Sequence, residues 1–174
     1  MKKIKIYIVV LLISLTSFSL SAQNVVTSFL DKHGKDDNLE VVSIGKKMFE
    51  KMESLSSGTP ELMDAIKGLE NIYIVSSTDL SLTQEYYDSA YHLLSKSKGF
   101  EEISTVKDNE KDGLTVMIKE SKGIVKELVL LSGQEKGFNL IALSGDIDLK
   151  TLAEYSQSLN IEGLDKLGRV EKVK

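Results

Sequence analysis

The chain has no cysteine among its 174 residues, no tryptophan and a single proline, and Arg169 is its only arginine. The missing cysteine excludes disulfides, thiolate catalysis and cysteine metal sites. One arginine leaves almost no bidentate forks for gripping phosphate or reading guanine. Histidine occurs twice, at His33 and His92, without the i, i+4 spacing of a zinc-binding helix. No P-loop, G-x-G-x-x-G or H-E-x-x-H pattern is present. No internal repeat or low-complexity tract divides the chain. What remains is 41% hydrophobic and 28% charged, ordinary usage for a globular domain.

Residues 1–22 read as an export leader. Lys2, Lys3 and Lys5 give a positive start, residues 4–15 are apolar except for Lys5 and Ser14, and residues 16–22 are mostly small or polar. That is the three-part pattern of a secretory signal peptide. The apolar run falls short of the ~20 residues that span a bilayer. No positive stop-transfer residues follow it, so a cleaved leader is expected over an uncleaved N-terminal anchor. Cleavage is expected after Ala22. That puts Leu20 three residues before the cut, where a smaller residue is preferred, so cleavage after Ser21 stays open. Without cysteine the chain cannot be acylated as a lipoprotein. No stable membrane anchor is expected after cleavage, and the expected location is periplasmic or secreted.

The whole chain has 22 Lys+Arg against 26 Asp+Glu. Removing residues 1–22 takes three lysines and no acids, which leaves 19 basic and 26 acidic residues and a net charge of −7 over 152 residues. Such a chain repels nucleic acid and anionic lipid at long range, so no nucleic-acid partner is expected. A domain of this size buries enough surface to fold without a disulfide. Residues 23–174 are expected to form a single α+β domain.

Asn24 is expected to cap a first helix that presents Val25, Val26, Phe29 and Leu30 and stops at Gly34. Residues 39–44 are β-branched and apolar enough for a strand. Met48, Phe49, Met52 and Leu55 share one helix face. Thr59-Pro60 opens another helix, with Leu62, Met63 and Ile66 inward and Gly68 as its stop. Residues 71–76 form the second strand. Ser81-Leu82-Thr83-Gln84 fits a capping box, ahead of a helix whose inner face is Leu82, Tyr86, Ala90, Leu93 and Leu94. Four strands follow, near residues 100–108, 114–119, 124–131 and 138–143, with turn residues between them. The second of the four alternates as a half-buried strand, and the third is apolar on both faces. Asp148 is expected to cap a last helix carrying Leu149, Leu152 and Leu159. Residues 161–174 show no clear pattern.

The expected fold is α+β with a mixed sheet of about six strands. Two helix-linked strands, able to run parallel through a right-handed crossover, join a four-strand antiparallel meander. Helices are expected mainly on one face.

Phe29-Leu30-Asp31-Lys32, Val41-Val42-Ser43-Ile44-Gly45-Lys46-Lys47-Met48-Phe49 and the stretch from Leu140 through Leu149 resemble the family catalogued as domain of unknown function 4252. The resemblance covers most of the mature chain. It implies a small exported protein of a Gram-negative bacterium without an established activity, and it hints at envelope stress signalling. Some relatives carry a lipoprotein cysteine, which is missing here. The resemblance supplies no catalytic residues.

The candidate chemical residues each have a plain structural explanation. His33 sits in the last turn of the first helix, where a cation suits the dipole, and His92 is expected to face solvent. Ser43-Ile44-Gly45-Lys46 and Ser95-Lys96-Ser97-Lys98 match S-x-x-K, without the Ser-Asp-Asn and Lys-Thr-Gly companions of serine acyl-enzymes. Asp146 and Asp148 fall short of calcium's six or more oxygens; a helix cap explains Asp148 better. Asp31, Asp36 and Asp37 read as a solvated loop. Glu101, Glu102 and Glu110 are scattered along the sequence, and no spacing in it points to a general acid and base. Tyr86 belongs to the core face. Tyr87 and Tyr91 lie one turn apart and line either the helix–sheet seam or a contact surface.

No catalytic, cofactor-binding or metal residue is therefore expected. The favoured function is a non-enzymatic binding or interaction module for an unknown protein or envelope component. The alternatives are a hydrolase using Ser43 with Lys46 and a small-molecule-binding protein.

Overall fold

The computed structural model describes residues 21–54, 66–108, 112–134 and 137–152. The Thr59-Pro60 helix, Leu159 and residues 161–174 lie outside that set. The elements run α1 (Ser21–His33), β1 (Glu40–Gly45), α2 (Lys46–Ser54), β2 (Leu69–Ser77), α3 (Thr83–Lys96), β3 (Glu101–Asp108), β4 (Asp112–Ser121), β5 (Ile124–Gln134) and β6 (Gly137–Ile147). A helical turn follows at residues 149–152.

The six strands form one sheet in the order β1-β2-β6-β5-β4-β3. The α+β class and the four-strand meander match expectation. The pairing of the first two strands does not. β1 and β2 are antiparallel neighbours, with Val41 opposite Val75 and Ser43 opposite Tyr73, so every strand pair is antiparallel. β2 starts at the end of the sheet where β1 stops, Gly45 opposite Asn71, so no crossover is needed. Side-chain periodicity records which face a residue takes, not which way the strand runs. β2 then pairs with β6, Val75 opposite Leu140, and joins the N-terminal pair to the meander.

Helices cover both faces of the sheet, not mainly one. On one face Leu128, Leu130, Ile141 and Leu143 pack with Phe49 of α2 and with Ile66 and Leu152. On the other, Val129, Leu131, Leu140 and Ala142 pack under α1 and α3, through Phe29, Tyr86, Ala90 and Leu94. The reason lies in the central strands, whose alternate residues are apolar on both sides, so leaving either side bare would expose them to water. β5 is apolar on both faces as expected. β4 departs from the half-buried expectation, because Thr115 and Met117 are buried along with Leu114, Val116 and Ile118.

Local signals fare unevenly. Gly34 ends α1 as expected, its N–H reaching Leu30 O at 2.6 Å. α1 begins at Ser21, so Asn24 lies inside the helix and is not its cap. The capping box does not form. Asp79 Oδ1 instead accepts from the Ser81 amide at 2.9 Å and from its hydroxyl at 2.6 Å, while Gln84 donates to Asp88. α3 starts at Thr83 without a side-chain cap. Asp148 caps as expected, accepting from the Lys150 and Thr151 amides at 2.9 and 3.2 Å. The β4–β5 turn places Lys122 and Gly123 at φ of 55° and 77°, the left-handed pair that a tight two-residue hairpin requires.

Candidate functional site

The densest polar cluster ties α1 to α3. His33 closes α1 and is buried. Its ring lies 4.8 Å from Phe29 and edge-on to Tyr86 at 5.2 Å. Nε2 is 3.0 Å from Ser89 Oγ, and Nδ1 is 3.6 Å from Asp36 Oδ2. The Tyr86 hydroxyl donates to the same Asp36 oxygen at 3.1 Å, and Lys32 Nζ donates to Ser89 Oγ at 3.2 Å. Burial, then the hydrogen bond to the Asp36 carboxylate, pushes the Tyr86 phenol up to about 12. A shallow groove of about 500 Å³ beside the cluster is lined by Ser28, Lys32, Asp88, Ser89 and His92 among others.

In connectivity this is a serine, a histidine and an aspartate in series, the order of a nucleophile, base and orienter. The geometry serves that chemistry poorly. Ser89 lies in the middle of α3, where backbone N–H groups are taken up by the helix and none is left to form an oxyanion hole. At 3.6 Å the His33–Asp36 contact exceeds a hydrogen bond, and Tyr86 already holds that oxygen. What the cluster does well is close the C-terminus of α1 with a hydrogen-bonded imidazole and anchor the following loop.

The other sequence candidates are scattered. Ser43 lies exposed on β1 and Lys46 opens α2. They occupy different elements, not one helical turn, and no hydrogen bond joins them. Ser95 donates to His92 O and Ser97 to Leu93 O, both closing the end of α3. Asp146 pairs with Lys126, while Asp148 bonds Thr151; the two aspartates do not act together. Hydrogen bonds from Thr151 hold the Asp148 carboxyl below its usual range. Among the described residues no group of His, Asp and Glu could hold a metal ion. Tyr87 lines the seam, with its hydroxyl 2.8 Å from Thr115 Oγ1. Tyr91 stacks on Tyr87 but is partly exposed and donates to Glu102. The charge of Glu102 raises the Tyr91 phenol. Gly133 of β5 lies directly below, where an added Cβ would come within 3.2 Å of Tyr87 Cβ.

Sequence reading missed three participants. Ser89 and Asp36 carry no local pattern that points to His33. Glu127 sits in an apolar strand, yet it is buried and accepts from Lys119 Nζ at 2.9 Å and from the backbone N–H of Ala22. The one available signal was a lone acid within a strand apolar on both sides. Among the described residues, no buried side-chain nitrogen or oxygen lacks a hydrogen-bond partner.

One surface stands apart from this satisfied interior. Among the described residues β1 ends the sheet, so one side of its backbone pairs with no described strand. Val41 and Val42 are 48% and 49% exposed, and Met48 on the helix that follows is 55% exposed. Natural edges are commonly guarded by lysine, proline or a bulge. β1 reads Glu-Val-Val-Ser-Ile-Gly and pairs with β2 in unbroken register, so none of these guards lies within it.

The architecture is that of an α+β protein with one antiparallel sheet covered by helices on both faces. The chain belongs to the family described as domain of unknown function (DUF4252), which matches residues 32–155. That description brings no activity with it. No curated protein and no solved structure matches the chain. No described helix is long and apolar enough to cross a membrane.

Proposed function

We propose that this is an exported, non-enzymatic periplasmic or envelope protein that binds another protein by strand addition along the open edge of β1. The observation that carries the reading is the unguarded edge with Val41 and Val42 about half exposed. An extended partner segment would pair with the free backbone of β1, and its alternate side chains would cover the two valines. Glu40 at one end and Lys46 and Lys47 at the other favour a segment of opposite charge order. Export is supported by the leader pattern of residues 1–22. The satisfied polar interior supports a protein that works through its surface.

The test is site-specific photocrosslinking in the native periplasm, with the probe at position 41 or 48 and a control at Ile124, an apolar residue that is also exposed. Adducts from 41 and 48, absent from 124 and lost in Val42→Lys without a change in unfolding midpoint, are expected. Crosslinking strongest at 124, or capture indifferent to Val42→Lys, would refute the docking edge. Cell fractionation tests the location separately.

A further inference from the structure

We propose that export processing cuts the chain between Ser21 and Ala22, and that the amino group so created seats on the buried carboxylate of Glu127. The inference rests on the export reading above. It moves the cut one residue earlier than the sequence pattern first favours.

Ala22 is 2% exposed and belongs to the apolar cluster beneath α1, with Val25, Val26 and Phe29. Its backbone nitrogen donates to Glu127 Oε2 across 105 positions of sequence. Glu127 is 4% exposed, and its other oxygen accepts from Lys119 on the neighbouring strand. A cut after Ala22 removes a core methyl group and takes a donor from a buried carboxylate, which is unfavourable on both counts. A cut before Ala22 keeps both. Ser19 and Ser21 then stand three residues and one residue before the cut, both small, as the cleavage pattern requires. Side-chain packing and leader chemistry converge on the same bond.

The step is a hydrolysis. Water adds across the Ser21–Ala22 peptide bond, catalysed by an endopeptidase of the export machinery. Ser21 leaves on the leader as a carboxylate, and Ala22 keeps the nitrogen, which takes up a proton near neutral pH. One neutral N–H donor becomes an ammonium with three. The positive end of α1 disfavours a cation, and the Glu127 carboxylate offsets that cost while still holding Lys119. The uncut chain makes only the neutral contact, so maturation tightens the seat of α1 on the sheet.

The full precursor is produced in a Gram-negative host and its mature form recovered for intact mass and N-terminal sequencing. Ala22 as first residue is the expected result. Gln23 or any later residue would overturn this inference and leave export standing. Intact Met1 in the cytoplasm would overturn the export reading and this inference with it. In a second measurement on the mature protein, an amine-directed reagent should label the folded α-amino group about tenfold more slowly than the unfolded one, because the ion pair and burial withhold it. Glu127→Gln should restore the faster rate. If that variant does not fold, the wild-type comparison decides alone, and equal rates would overturn the seat on Glu127.

Discussion

Replacing Phe29 by alanine should loosen α1 from the sheet. Phe29 is fully buried, stacked on Phe138 at 5.3 Å and edge-on to Tyr86 at 6.0 Å. A buried phenylalanine hides about 150–250 Å². At about 25 cal/mol per Å², its transfer is worth about 4–6 kcal/mol, an upper bound because the unfolded chain already hides part of that area. Phenylalanine-to-alanine changes in cores cost about 3–5 kcal/mol, so about 4 kcal/mol is expected here. For a domain of this size that lowers Tm by about 8–16 °C. The assay is denaturant unfolding of the mature protein, followed by circular dichroism, with the slope checked for two-state behaviour. Met48→Ala, on an exposed side chain, should stay within about 0.5 kcal/mol as a control. The family match starts at residue 32, so most of α1 precedes it. A loss below about 1 kcal/mol would mean that α1 is an appendage and not part of the packed domain.

Three further outcomes follow from particular contacts. The Tyr86 phenol ionises near 12 in the fold against 10.0 ordinarily, so its neutral form is favoured. The corresponding stability is complete below pH 10 and falls as pH rises from 10 toward 12, because the unfolded chain sheds its proton first. Unfolding midpoints across that range should show the decline, and Tyr86→Phe should flatten it; an unchanged slope counts against the buried hydroxyl. Asp148→Ala removes a helix cap and should cost about 1 kcal/mol. The depressed carboxyl makes that contribution present above pH 3.8, with loss as pH drops through the lower folded value. A variant as stable as the parent at neutral pH would refute the cap. Gly133→Ala places a methyl group against Tyr87 and Thr83 and should destabilise by about 1–3 kcal/mol; a neutral result would show that α3 yields at that point.

Elements with a local cause were legible. The Gly34 stop, the Asp148 cap and the turn at Lys122-Gly123 each depend on residues a few positions apart. The capping box failed for a reason equally local but unread. Asp79 lies two residues before Ser81, and its carboxylate outcompetes the glutamine for the serine's hydrogen bonds. The polar cluster was illegible because its parts are distant in sequence. His33 and Ser89 are 56 positions apart, and Tyr86 and Asp36 are 50. The helix dipole argument places a cation such as His33 at the end of a helix, but it does not say what will fold over it.

By itself the sequence determined the alternation of helices and strands, the turns, the acidic charge and the absence of thiol chemistry, since periods of two and 3.6 residues and single-residue preferences are written locally. Only the tertiary structure decided that β1 runs against β2, that both sheet faces are covered, that β1 stands last in the sheet, and that Glu127 meets Ala22. Direction, neighbour and burial come from which surfaces exclude water together. That exclusion is settled between residues a hundred positions apart, where no local pattern records it.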